Sequence, residues 1–399
     1  IGDQYLQRQL FSNDAVQGFA FIDICRKQFD AVLMNPPFGL FFKEHFPWLK
    51  SKYPDSYVDI YSSFVARGLQ LSQGKVGVIS PRSFLITPKL ARHREKYVLQ
   101  NLNVLLDLGE GVMDDATVLS CAYILDSIEL CENSIFPAFD RKSLEDKSNN
   151  LDRSVIFLDS NNTYLSDKRE IGRLQKTPIL YSLSSRILHT ISSNEKLKDG
   201  VLIARSGLTT FNDFRFLRLR VEVDPKDIGE LKIWEPIAKG GTFSVFYSDL
   251  PLLIRWSTSG NEIAEENQRV NGQTAQARQA SSYYRRFGGT YSYRSRKDFG
   301  VRVLPAGCII GNKGPAVLPA INFSAEFVIG LLNSRFIKTL IKLQANDSQY
   351  DTGIIERIPW VPFSPEKIQR IESLTRQSID KIRSISIHEE NNSLFTVLP

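Results

Sequence analysis

The stretch Phe29-Asp30-Ala31-Val32-Leu33-Met34-Asn35-Pro36-Pro37-Phe38-Gly39 constrains this chain more than any other. An apolar run, residues 31–34, stops at an asparagine and two prolines. A short apolar run bounded by breakers reads as a buried strand of a parallel sheet. Two prolines cannot continue a hydrogen-bonded ladder, so the backbone must leave the sheet there. The strand's carboxyl end then carries an amide, a stiff turn and an aromatic ring. In open α/β sheets ligands sit at that end. The Asn35 side-chain carbonyl and the Pro36 backbone carbonyl can together accept both hydrogens of an exocyclic amino group. Phe38 offers a face for a base to stack on, and such a base must first leave the duplex.

Asn35-Pro36-Pro37-Phe38 is similar to the NPP(Y/F) motif of adenine-specific (N6) DNA methyltransferases. The resemblance makes Asn35, Pro36, Pro37 and Phe38 the expected catalytic residues. It widens downstream. Residues 57–85, YVDIYSSFVARGLQLSQGKVGVISPRSFL, and residues 104–125, VLLDLGEGVMDDATVLSCAYIL, follow in the order of the later motifs of gamma-type enzymes. That family has a "GE(V/I)F" turn as a second wall for the flipped adenine. Here the turn reads Gly109-Glu110-Gly111-Val112-Met113, so Met113 replaces the aromatic as a soft apolar wall. The family's glycine-rich S-adenosylmethionine loop, of the type DPACGSG, has no counterpart in residues 1–34. The chain opens on Ile1-Gly2-Asp3-Gln4. The expectation is a fragment whose cofactor loop lies upstream, in a methyltransferase segment that acts as a partner.

At 399 residues the chain has room for two to three domains. Apolar residues are 42% and charged residues 24%, the balance of a globular protein and not of a disordered one. No apolar run reaches 18 residues, so no membrane partner is expected. Cys25, Cys121, Cys131 and Cys308 form no CxxC pair, which argues against a zinc site or a disulfide scaffold and for reduced thiols in a cytoplasmic protein. The net charge is +6. Residues 1–150 hold 16 Lys and Arg against 18 Asp and Glu, and residues 151–399 hold 34 against 26, so an anionic partner belongs with the second half.

Residues 57–73 have helical spacing, with Asp55 or Ser56 as a cap and Gly74 as the closing residue. Residues 76–79, 104–108 and 119–125 read as short strands, with a helix over 87–101. Helices alternating with apolar strands argue for a doubly wound α/β sheet. The expected division is a partial Rossmann-like class I methyltransferase domain over 1–136 and a linker with a helix near 180–196 over 137–200. A mixed α+β target-recognition domain over 201–362 follows, then a terminal helix and tail over 363–399. Residues 242–247 and 252–256 read as strands of the recognition domain.

Between 278 and 302 seven Lys and Arg meet one Asp, with six aromatics interleaved. Cations there suit phosphates, while Tyr and Arg reach bases. The candidate contacts are Lys239, Arg285, Arg286, Tyr291, Arg294, Arg296 and Lys313. The region from Gly207 to Ala316 resembles the recognition region of adenine methyltransferases of the BREX PglX phage-defence kind and of type IIG restriction–modification enzymes. The resemblance implies methyl transfer from S-adenosylmethionine to N6 of adenine in double-stranded DNA. Other defence-system subunits are then candidate partners. A DNA-recognition fragment without catalysis is the alternative. Leu144-Glu145-Asp146-Lys147 lacks the preceding carboxylate of a nuclease cluster, so the chain supports modification and not cleavage.

Overall fold

The computed structural model describes residues 16–20, 22–24, 26–39, 44–112, 118–127, 134–142, 162–346, 348–389, 392 and 395. The chain divides into two compact units, 1–192 and 193–399.

The first unit is built on a six-stranded sheet. Its strands are β1 (Phe29–Met34), β2 (Ser72–Pro81), β3 (Leu102–Gly109), β4 (Ser120–Asp126), β5 (Ile135–Asp140) and β6 (Thr163–Asp167), in the order β1-β2-β4-β3-β5-β6. β1 and β2 are parallel, with Met34 opposite Val78. β4 lies between β2 and β3 and runs antiparallel to both. β1, β2 and β3 therefore end at the same edge, and Asn35, Arg82 and the Gly109 turn lie along it. The sheet is mixed: β3 and β5 are parallel, and β6 is antiparallel to β5.

Helix α1 (Phe46–Lys52) and helix α2 (Ile60–Leu71) connect β1 to β2. α2 starts at Ile60 because Asp59 caps it, accepting from the Tyr61 amide at 3.4 Å, so neither Asp55 nor Ser56 is the cap. The helix ends at Leu71, and Gly74 belongs to β2, where a Cβ would run into the Asp30 backbone carbonyl. The expected 87–101 helix is a succession of short turns, Pro88–Leu90, Ala91–His93 and the π-helical Arg94–Leu99. Buried Arg94 organises them by donating to the carbonyls of Phe84, Thr87, Lys176 and Thr177.

Two sequence expectations change here. β1 is not a buried strand: Leu33 is 84% exposed, and among the described residues only β2 pairs with β1. Its apolar run looks like that of a covered strand because pattern reports what a strand could bury, not what lies against it. The stretch 137–200 is also no simple linker, since most of β5 and all of β6 fall in it and extend the sheet. Pro137 hid β5, because a proline in mid-run argues against a strand interior.

The second unit holds two four-stranded sheets. One has β7 (Leu202–Arg205), β11 (Gly288–Tyr291), β12 (Val301–Leu304) and β14 (Ala316–Pro319), in the order β12-β11-β14-β7. The other has β8 (Leu217–Leu219), β9 (Trp234–Ala238), β10 (Leu252–Arg255) and β13 (Ile309–Ile310), in the order β13-β9-β10-β8. Residues 242–247 form no strand of either sheet, in contrast to the sequence expectation. Helix α3 (Asn261–Asn271) follows β10, and α4 (Ala325–Asn333) and α5 (Arg335–Gln344) are separated at Ser334. α4 packs on β11 and on helix α6 (Pro365–Ser386), and Gly330 lets Thr375 come close.

Candidate active site

Asn35 follows the last paired residue of β1. Asn35 and Pro37 are exposed, Pro36 is buried and Phe38 is half-buried. Among the described residues nothing hydrogen-bonds the Asn35 side chain, and no backbone amide outside helices and strands donates to the Pro36 carbonyl. Two carbonyl acceptors are left together at the lip of the sheet.

The turn beyond them is held from one point. Gly39 has φ +118°, a conformation L side chains rarely adopt. Its amide donates to Asp59 Oδ1 at 3.1 Å, and its carbonyl accepts from the Ile60 amide at 3.0 Å. The N-terminus of α2 thus grips both backbone groups of the residue after Phe38. Burial raises the pKa of Asp59, and the Gly39, Tyr61 and Ile60 amides counter it. Asp59 is the site residue that sequence reasoning missed. Its signal was a carboxylate directly before the apolar helix face, one turn later than the cap expected.

Phe38 meets the buried Tyr61 ring edge-on, with centroids 6.4 Å apart. Tyr61 in turn lies edge-on to His93 at 6.2 Å. His93 Nδ1 pairs with Ser56 Oγ at 2.9 Å. Burial, and then the neighbouring Arg94 charge, pull the His93 pKa down to about 3, so the imidazole is neutral at pH 7. The ring that would carry a base rests on a fixed aromatic support.

At the end of β3 a buried polar cluster sets the base of the Gly109 turn. Asp107 is fully buried and accepts from Arg82 Nε at 2.7 Å and from Tyr181 Oη at 2.6 Å. Lys142 Nζ lies 3.5 Å from Asp107 Oδ2 and 2.8 Å from Asp140. Gly109 has φ +68°, and a Cβ there would press on Lys142. The turn of the expected second wall is thereby directed, although Met113 itself lies outside the described residues.

The candidate contacts in the second unit separate. Lys239 and Lys313 are brought together along a shallow cleft of about 360 Å³ with Thr210, Asn212 and Asn312. The loops that carry them pack backbone on backbone: the Gly311 amide donates to Ala238 O at 2.8 Å. Gly240, at φ +88°, leaves no room for a Cβ beside Lys313 O. Lys239 is ion-paired with Asp213, and Lys313 Nζ sits 5.0 Å from the Tyr293 ring centre. Arg286, Arg294 and Arg296 are exposed, with Arg286 over the Tyr283 ring at 5.1 Å. Two expected contacts are corrected. Tyr291 is fully buried in β11 against Phe299, so it faces no ligand. Arg285 is engaged by buried Glu235 through Nε at 2.9 Å and Nη2 at 2.8 Å. Both lie in a strongly basic and aromatic stretch, and composition does not distinguish core from surface within it.

The first unit is thus a mixed α/β sheet with parallel β1 and β2, the antiparallel β4 between β2 and β3, and two carbonyl acceptors at the carboxyl end of β1. Comparison with known proteins bears out the resemblance read from the motifs. Residues 4–112 match the family Eco57I restriction-modification methylase. The chain is 22% identical over 393 residues to the adenine-specific methyltransferase PglX of Lacticaseibacillus casei (strain Zhang), covering 92% of this chain and 32% of that protein. It is 24% identical over 379 residues to the adenine-specific methyltransferase BrxX of Escherichia coli O9:H4 (strain HS), covering 90% of this chain and 29% of that protein. The chain thus spans about a third of the length of the curated relatives it matches. Among solved structures, the type IIL restriction-modification enzyme MmeI in complex with DNA aligns with a TM-score of 0.59 at 13% identity, over 92% of this chain and 50% of that one. At that identity the likeness concerns the fold, and it runs across both units.

Proposed function

We propose that this chain supplies the target-adenine side and the recognition region of an adenine-specific DNA methyltransferase using S-adenosylmethionine, in a BREX or restriction–modification setting. The observation that carries the reading is the pair of free acceptors at Asn35 and Pro36, with Phe38 held beside them on Tyr61. Asn35 Oδ1 and Pro36 O take the two amine hydrogens of an extruded adenine. That turns the nitrogen lone pair outward, toward the methyl donor. No strong general base is needed, because the proton can pass to water once nitrogen has bonded. The work is orientation and electrostatics.

S-adenosylmethionine supplies an electrophilic methyl group. The described residues form no glycine-rich turn beside β1 to cradle it. Among the described residues nothing pairs with the outer edge of β1, and that edge is where a cofactor-bearing neighbour would add to the sheet. The exposed Lys313, Arg286, Arg294 and Arg296, with Lys239, are the proposed DNA contacts. That no such turn lies among the described residues also favours one other reading, a DNA-recognition piece without catalysis.

The test is transfer of labelled methyl groups to duplex DNA by the complete protein carrying Asn35→Ala. Loss of transfer with DNA binding retained supports the proposal, and normal transfer refutes it. Titration of S-adenosylmethionine into this chain alone separates the two readings, since tight binding would contradict the assignment of the cradle to a neighbour.

A further inference from the structure

The second unit contains a cavity of about 670 Å³ between the Gly240-Gly241 loop, the Arg220 turn and the end of α6. Its size is that of a small-ligand site. Two guanidinium groups line it, Arg220 and Arg302. Arg302 is only 2% exposed. Its Nη2 donates to Gly240 O at 2.5 Å and its Nη1 to Ser292 Oγ at 3.4 Å, both neutral acceptors, and its Nε has no partner. The Arg220 Nε is also buried and unpartnered. Among the described residues neither arginine forms an ion pair, and two carboxylates, Asp249 and Glu389, line the same cavity. A buried cation with no anion is costly, and burial alone pulls the Arg302 pKa down to about 10. Such a group is retained where an anion arrives to pair with it.

The rest of the lining suits what such an anion is attached to. Thr242, Ser244 and Ser248 offer hydroxyls, and Leu219, Val221 and Leu252 offer apolar surface. We propose that this cavity binds the phosphate of a nucleotide unit, held by Arg220 and Arg302, with the attached sugar or base against the apolar wall. The phosphate comes from the DNA backbone or from a free nucleotide. The first source rests on the DNA-binding reading above and the second does not.

The experiment has two arms, both on the full chain, comparing wild type with Arg220→Gln and Arg302→Gln. In the first, inorganic phosphate is titrated by calorimetry at constant ionic strength. Saturable binding weakened at least about tenfold in Arg220→Gln supports the pocket, and Arg220, being only half-buried, can be replaced without emptying the core. Absent binding, or binding that both variants leave unchanged, overturns it. In the second arm, the affinity for a short duplex is followed against salt. A slope reduced by about one in Arg220→Gln identifies the DNA backbone as the source. An unchanged slope with phosphate binding lost identifies a free nucleotide. If the wild-type chain binds no duplex, the DNA reading fails while the phosphate arm still decides the pocket.

Discussion

The Gly39 amide donates to Asp59 Oδ1 at 3.1 Å, so the cap of α2 is also the anchor of the turn that follows Phe38. One carboxylate serves two structures, and removing it disturbs both. Asp59→Ala should cost about 1 kcal/mol of stability from the lost cap, measured by denaturant unfolding. It should also lower methyl transfer by the complete protein more than Asp55→Ala does. Equal activity in the two variants would show that the turn holds itself.

Asp59 also carries a pH signature. Its pKa is raised in the folded chain, mainly by burial, so the folded state holds the proton more tightly than the unfolded one. The stabilisation is fully present below the ordinary value of 3.8 and is lost as pH rises through the folded pKa. Relative to Asp59→Asn, wild type should lose stability over that acidic interval and run parallel above it.

His93 acts in the opposite sense. It stays neutral in the fold down to about pH 3, whereas the unfolded chain takes up a proton below 6.5. Its contribution is whole above pH 6.5 and is lost as pH falls toward 3, at about 1.4 kcal/mol per pH unit. His93→Gln should flatten that part of the stability curve. A variant with undiminished acid sensitivity would assign the effect elsewhere.

Asn35→Ala removes one of the two acceptors at the sheet edge. Loss of a single oriented hydrogen bond to the reacting group should lower the rate by about 10²–10³-fold. Stability should barely change, because the side chain is exposed and makes no described bond. Rate measured under single turnover and melting temperature, taken together, check both halves.

Arg285→Ala strands the Glu235 carboxylate, whose side chain is only 1% exposed. Breaking a buried pair from one side costs about 3–5 kcal/mol. The expected result is strong destabilisation in denaturant melts. The salt dependence of DNA affinity should change little, whereas Arg296→Ala should reduce it with no loss of stability.

The order of motifs, the breaker after β1 and the basic second half were legible in the sequence, because local chemistry carries them. Two prolines end a ladder wherever they stand. The amide before them and the ring after them follow by adjacency alone. Strand β1 was legible as an element, but its exposure was not, since an apolar run has the same pattern whether or not a neighbour lies against it. Tyr291 and Arg285 were misread for a related reason: residue type does not say which side of a strand faces inward or which carboxylate will be near. Asp59 gripping Gly39, Tyr61 beneath Phe38, and the unpaired Arg302 in its cavity join residues far apart in the chain. Only chain folding brings such groups within hydrogen-bonding or packing distance, and for that reason tertiary structure alone decided them.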